Sequence, residues 1–379
     1  MYSLDQFAAM LADPVRMNAY RAAIERCVHP GDAVVDLGCG PGIFSLLACE
    51  AGARCVYAID MNGVVDFGRR LAAINGFGDR IHFLRGDSRQ IHLPERVQVV
   101  ISDVRGVLPL HTHAVGTLKD ARMRFLAEGG QLLPRRDTLI CAIVEAPEDY
   151  RRIAEAWKAV PSLDLTSGVP LVLNAFYRQR FKPQQVISQP HPWHTLDYLS
   201  GPQTPAAAKF QLSITRRGTG HGFGIWFETE LADGIGYSTD PRVGDTVYGH
   251  IFLPWLEPIP LHQGEECCVD LRAHLVGNDY VWQWETTISA AASRPAVHFR
   301  QSSFYGSLFP ESSLKKYSAE FVPVLSEEGL AERWILQAMD GQRALEDIAT
   351  EAARLFPHVF RRVEDAFTRA AEIAEKLSR

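Results

Sequence analysis

The chain is 379 residues long, enough for two or three domains with substantial cores. Its 39 Lys and Arg against 45 Asp and Glu leave a mild net charge of −6 without any long basic run, which argues against a large nucleic-acid footprint. No apolar stretch approaches membrane-helix length and the first residues lack a basic-then-apolar signal, so neither a membrane partner nor secretion is expected.

Residues 1–30 read as helix, with Phe7, Met10, Leu11, Val15, Ala19, Ala22, Ala23 and Ile24 at helical spacing. From Gly31 to about Leu139, apolar runs at 33–37, 54–59, 81–85, 97–102 and 138–144 alternate with helical patterns, which predicts a largely parallel sheet covered by helices. Glu128-Gly129-Gly130 punctuates the last crossover. After a helix near 147–159 come period-2 runs such as Phe210-x-Leu212-x-Ile214, Val269 to Leu275, and Tyr280-x-Trp282-x-Trp284, the texture of an antiparallel barrel or sandwich. From about Ser318 onward three helical stripes return: Leu330, Trp334, Ile335 and Ala338; Leu345, Ile348, Ala352 and Leu355; and Val363 to Leu377.

The most informative stretch is Val34-Val35-Asp36-Leu37-Gly38-Cys39-Gly40-Pro41-Gly42, a strand that turns sharply into the helical pattern from Ile43. Such a turn points main-chain N–H groups past the strand end, and its glycines allow a ligand close approach. About twenty residues on, Asp60 ends a second apolar run, where a ribose hydroxyl is usually read. A dinucleotide fingerprint needs its third glycine at position 43, which is Ile43 here; the glycine is Gly42. Asp36, the turn and Asp60 together predict an S-adenosylmethionine (SAM) site of the class I methyltransferase type. The seven cysteines form an odd set with no Cys-x-x-Cys spacing, and Cys49, Cys55 and Cys141 sit in apolar runs, which fits reduced thiols in a cytoplasm. The 13 histidines are scattered without a zinc-like partner set, so no metal site is expected.

Met10 to Arg16, the glycine loop, Leu126 to Pro134, His221 to Thr229, Phe252 to Pro258 and Val281 to Glu285 carry a resemblance, from about residue 8 to 290, to the protein arginine methyltransferases. It implies that Arg16 pairs with the SAM carboxylate, and that the protein forms a homodimer through an arm for which roughly 161–183 is the candidate. The family's catalytic loop carries two glutamates that clamp the target guanidinium. Here the loop reads Ser102-Asp103-Val104-Arg105 to His111-Thr112-His113, with Asp103 at the first position and Thr112 at or beside the second. One short carboxylate beside a permanent cation disfavours an arginine substrate, because two carboxylates are what neutralise and orient a guanidinium. The family's Thr-His-Trp element is matched to His191-Pro192-Trp193-His194, and its Tyr-rich lid to Tyr2-Ser3-Leu4. The last sixty or so residues resemble PqqD-like domains, through Ile335 to Arg343 and Leu345 to Ala349. Those domains hold the leader of a ribosomally made peptide as an added strand.

The fold class expected is therefore α/β. A Rossmann-like class I methyltransferase domain (1–142) is followed by an antiparallel β-barrel domain (143–316) and a small helical, winged-helix-like domain (317–379). Cofactor contacts fall to Arg16 for the methionyl carboxylate, the turn Gly38, Cys39, Gly40 and Gly42 with Asp36 beneath it, Asp60 for the ribose, Met61 against the adenine, and Asp87 and Ser88 for its amine; the alternative for Asp87 is a solvated loop acid. Asp103 is a base or orienting acceptor, or else caps the following turn. His111, His113 and His194 are candidate proton relays or simply exposed. Arg105 binds a substrate carboxylate or is ion-paired within its loop, and Trp193 belongs with it on the substrate side. The leading function is methylation of a peptide or protein side chain other than arginine. The alternatives are arginine methylation by a diverged site, a SAM-binding scaffold without catalysis, and methylation of a free small molecule.

Overall fold

The computed structural model describes residues 3–110, 113–160, 162–200, 205–277, 279–290, 294–307, 316 and 320–378. The chain divides into two compact units, 1–307 and 308–379.

The first unit opens with helices α1 (Leu4–Leu11) and α2 (Pro14–Cys27). Asp13 starts α2: its carboxylate accepts from the Arg16 N–H at 3.1 Å, and Pro14 occupies the first turn, where a missing N–H costs nothing. Five parallel strands follow, β1 (Ala33–Leu37), β2 (Cys55–Asp60), β3 (Ile81–Arg85), β4 (Val97–Ser102) and β5 (Leu126–Leu133), in the order β3-β2-β1-β4-β5. Helices α3 (Ile43–Glu50), α4 (Val65–Ile74) and α5 (Ala114–Arg124) connect them. β1 is buried at all five positions, as a central strand covered on both faces must be. The order reverses between β1 and β4, and open α/β sheets bind ligands at the strand ends beside such a reversal. Leu37 pairs with Ser102 there, so the glycine turn and the loop from Asp103 leave the sheet side by side.

The run at 138–144 does not join the parallel sheet. It lies in β6 (Arg136–Val144), paired antiparallel with β10 (Gly218–Ala232) and β8 (His191–Asp197). The fifth parallel strand is instead β5, in the run Leu126 to Pro134 that carries part of the resemblance; Gly129-Gly130, read as punctuation of the last crossover, are taken up as a register shift in a strand that continues on both sides. The antiparallel part forms two sheets. One runs β7-β12-β10-β6-β8, with β11 (Ile235–Ser238) also on β10, β7 at Tyr177–Gln179 and β12 at His250–Leu261. The other runs β15-β14-β13-β9, at Val297–Ser302, Asp279–Ile288, Glu266–Val276 and Ala206–Ser213. No continuous ladder joins them among the described residues, so the expected barrel is a two-sheet arrangement instead. Its interior is aromatic, with Trp193 edge-on to Trp282 at 6.0 Å and Trp255 beside Phe299 at 6.3 Å. α6 (Pro147–Ala154) and α7 (Val169–Leu173) flank this region.

In the second unit, α8 (Glu327–Ala338), α9 (Leu345–Leu355) and α10 (Val363–Leu377) enclose a separate core that includes Ile335, Ile348, Ala352, Ala370 and Ile373. Its described residues form no strand, so the winged-helix expectation reduces to three helices. All seven cysteines are unpaired, and only Cys268 is exposed. Among the described residues no His/Cys/Asp/Glu group is arranged to hold a metal ion, and no helix is long and apolar enough to cross a membrane.

Candidate active site

The glycine turn has the backbone its sequence requires. Gly38, Gly40 and Gly42 take φ of 72°, 53° and 81°, left-handed values that a side chain resists. A Cβ at Gly38 would run into the Val104 side chain, and one at Gly40 would meet the Phe7 ring at 2.6 Å. The turn is thus bracketed by the β4 loop and by α1. Asp60 accepts from the Gly40 N–H at 2.8 Å and, through its other oxygen, from the Asn62 N–H at 2.8 Å. Asp36 is 1% exposed and accepts from Ser45 Oγ at 2.7 Å. Burial pushes its pKa up to about 7; the Ser45 hydrogen bonds pull it down and the Asp60 charge pushes it up further.

Across the switch point lies a charged cluster. Asp103 Oδ2 accepts from Arg16 Nε at 2.6 Å and from the Tyr248 hydroxyl at 2.7 Å; Oδ1 accepts from Arg105 Nη2 at 3.1 Å and Nε at 3.3 Å. Burial alone would raise the Asp103 pKa, but the Arg16 and Arg105 charges and the Tyr248 hydrogen bond hold it below the usual carboxylate range. Arg105 is completely buried. Its Nη1 donates to Asp137 and to Thr229 Oγ1, both at 2.7 Å, and its Nη2 to the Tyr20 and Tyr237 hydroxyls at 2.8 and 2.7 Å. Burial opposes the charge on Arg105, yet Asp137 and the surrounding groups raise its pKa well above the ordinary value.

Local structure explains the convergence. Tyr20 lies one helical turn after Arg16, on the same face of α2. Thr229 is the cross-strand partner of both Asp137 and Tyr237, so one rung of three strands presents all three side chains together. Each hydroxyl proton has an acceptor: Tyr20 donates to the Ser102 carbonyl, Tyr198 to Asp137 and Tyr248 to Asp103, which leaves Tyr237 to donate to Tyr248. Two arginines and two aspartates leave the cluster with no net charge.

The expected residues divide accordingly. Arg16, Asp36, Gly38, Cys39, Gly40, Gly42, Asp60 and Asp103 gather at the switch point. Ser88 is buried after β3, and Asp87 beside it is held by a bidentate pair with Arg89, whose hydrogen bonds lower its pKa. Met61 is 71% exposed. Of the two readings of Arg105, the structure has the ion-paired one: every one of its N–H groups is satisfied by the protein, Asp103 and Asp137 among the acceptors. Trp193, expected on the substrate side, is a core residue, 5% exposed against Trp282. His194 lies in β8 opposite Leu139, its Nε2 buried without a partner among the described residues and its pKa lowered by burial. The segment that reaches Asp103 from the antiparallel region is Thr246-Val247-Tyr248, not 191–194: Tyr248 contacts Asp103, and the Val247 N–H donates to Asp13 at 2.8 Å. His113 precedes α5, and His111 and Thr112 lie outside the described residues. Sequence reasoning missed Tyr20, Asp137, Tyr237 and Tyr248. The one available signal was Asp137, a lone acid heading the apolar run of β6.

The family model of FtsJ-like methyltransferases matches residues 20–156. A probable protein arginine N-methyltransferase 6 from Arabidopsis thaliana is 28% identical over 232 residues, covering 59% of this chain and 53% of the relative. The chain thus spans about half the length of that curated relative. The arginine methyltransferase 1 enzyme–prozyme complex with AdoHcy from Trypanosoma brucei has a similar fold, with a TM-score of 0.73 at 22% identity over 78% of this chain and 96% of that one. Arabidopsis thaliana protein arginine methyltransferase 10 gives 0.67 at 23% identity, with the same coverage of each chain. In fold, and in sequence over more than half its length, the chain is similar to the protein arginine methyltransferases.

Proposed function

We propose that the protein is a SAM-dependent methyltransferase that modifies a peptide or protein side chain other than arginine. The observation that carries the reading is the switch point itself. On one side stands a glycine cradle with an acid at the end of β2; on the other, a carboxylate already saturated by the chain's own cations.

The residues fit the cofactor. The cradle glycines leave the main chain open to close approach, Asp60 keeps lone pairs beyond its two backbone contacts, and Arg16 Nη2 makes no hydrogen bond among the described residues. Arg16 would hold the methionyl carboxylate, the turn from Gly38 to Gly42 the methionyl-ribose part, Asp60 the ribose hydroxyls, and Met61, Asp87 and Ser88 the adenine. Bound there, SAM supplies an electrophilic methyl group on a sulfonium sulfur. The chain's task is to align the acceptor in line with that methyl, exclude water and leave the acceptor a free lone pair. Asp103 stays anionic and is a weak base; its charge is taken up by Arg16 and Arg105, and its part is to fix Arg16. Proton removal falls to another group, for which His113 is the candidate at the start of α5.

A second reading, arginine methylation, is favoured by the names of the relatives. It requires Asp103 to exchange Arg16 or Arg105 for a substrate guanidinium. A homodimer through 161–183 belongs to either reading, supported by exposed Leu163 and Leu171 in that segment.

The C-terminal unit is assigned the guiding of the peptide. Removing residues 308–379 should leave SAM affinity unchanged while raising the apparent KM for peptide methylation at least tenfold. Calorimetry and transfer of a labelled methyl group measure the two. Unchanged peptide turnover by the shortened chain would rule the guiding role out.

A further inference from the structure

Arg105 occupies a pocket with the chemistry of a guanidinium receptor. Two carboxylates, Asp103 and Asp137, accept from it, and three neutral oxygens of Tyr20, Tyr237 and Thr229 take its remaining N–H groups. Four rings surround the cation, with centroids 5.1 Å (Phe227), 5.8 Å (Tyr237), 5.9 Å (Tyr248) and 6.0 Å (Tyr20) from its Cζ. That distance range is where a ring face attracts a cation. The loop is shaped to fill the pocket: Val104 lies against Gly38, Arg105 points into the antiparallel region, and Gly106 turns the chain at a φ of 59°.

A purely structural ion pair needs one carboxylate, and replacing such a pair by apolar side chains is often neutral or stabilising. This pocket instead matches a planar fork on every donor, which an ammonium does not present. We propose that it is a guanidinium-binding site occupied by the chain's own Arg105, and that Arg105 is thereby a specificity-determining residue. By filling the site it withholds Asp103, Asp137 and the rings from any arginine side chain presented by a substrate. The consequence for the methyl acceptor rests on the methyl-transfer reading; the pocket does not, and stability rather than activity reads it.

The test is R105A in the full chain, titrated with methylguanidinium chloride up to about 20 mM and followed by thermal unfolding, since a ligand bound only by the folded state raises the midpoint. Methylammonium and sodium chloride at equal ionic strength serve as controls. R105A is expected to melt below the wild type and to regain several degrees, saturably, with methylguanidinium binding at least tenfold tighter than methylammonium. The wild type, its site filled, should not respond. If R105A does not refold unaided, refolding yield becomes the readout. R105M, whose side chain fills the stem of the site and leaves its polar end open, then provides a second background. Equal gains from methylammonium, or no gain from methylguanidinium in either variant, would overturn the proposal.

Discussion

Asp36 is almost out of reach of water, with Ser45 as its side-chain partner and Asp60 as a neighbouring charge. Burial, named first among the causes, raises its pKa to about 7, so the folded chain holds this proton more tightly than the unfolded chain does. The stabilisation it gives is complete below the unfolded carboxylate range near pH 4 and is lost as pH rises through about 7. In D36N the amide oxygen still accepts from Ser45 and cannot ionise. The urea midpoint of the wild type should therefore fall relative to D36N between pH 5 and pH 8. A difference that stays constant across that range would show that Asp36 does not titrate there. At this scale the sequence was informative only where residue type and local spacing coincide. Asp36, the glycines and Asp60 stand in one recognisable motif. Arg105 could be read two ways, because its exposure depends on strands that lie more than thirty residues further along the chain.

The two loops that leave β1 and β4 act as one element, joined at Gly38 and Val104. G38A places a methyl group where the Val104 side chain lies and forces an L residue to a φ of 72°. G76A imposes the same backbone strain, at a φ of 76°, with nothing within 4 Å of the new methyl, and so isolates the steric part. Each substitution should destabilise by about 1 kcal/mol through strain. G38A alone should weaken SAM binding, at least tenfold by calorimetry, since Val104 cannot move without Asp103. Equal SAM affinity in the two variants would separate the loops. Strands β1 to β4 and the three helices of the second unit were legible from periodicity, because burial of one face or of both writes a period directly into the sequence; α1 and α2 read as one helical stretch, and α7 carried no readable period. β5 and β6 were not. Gly129 and Gly130 have the composition of a break yet lie inside a strand, and a buried antiparallel strand such as β6 has the same apolar run as a parallel one.

Over the whole molecule, residues 16, 20, 103, 105, 137, 229, 237 and 248 converge on one cluster, although they come from a helix, a loop, three strands and the segment before β12. No local pattern encodes that meeting; it follows from the rung that joins Asp137, Thr229 and Tyr237, and from the docking of α2 against it. The Thr-His-Trp element was sought at 191–194 for the same reason, since an aromatic in a short motif is easy to find and its place in the fold is not. In the cluster the carboxylate beside the glycine cradle is committed to the chain's own arginines, which leaves no clamp for another. The most direct measurement is incubation of the purified protein with isotopically labelled methyl-SAM and the low-mass peptide fraction of its source cells, with the label located by fragmentation mass spectrometry. Label is expected on a side chain other than arginine. Label on arginine would contradict this, and would mean that Asp103 releases its partners to a substrate.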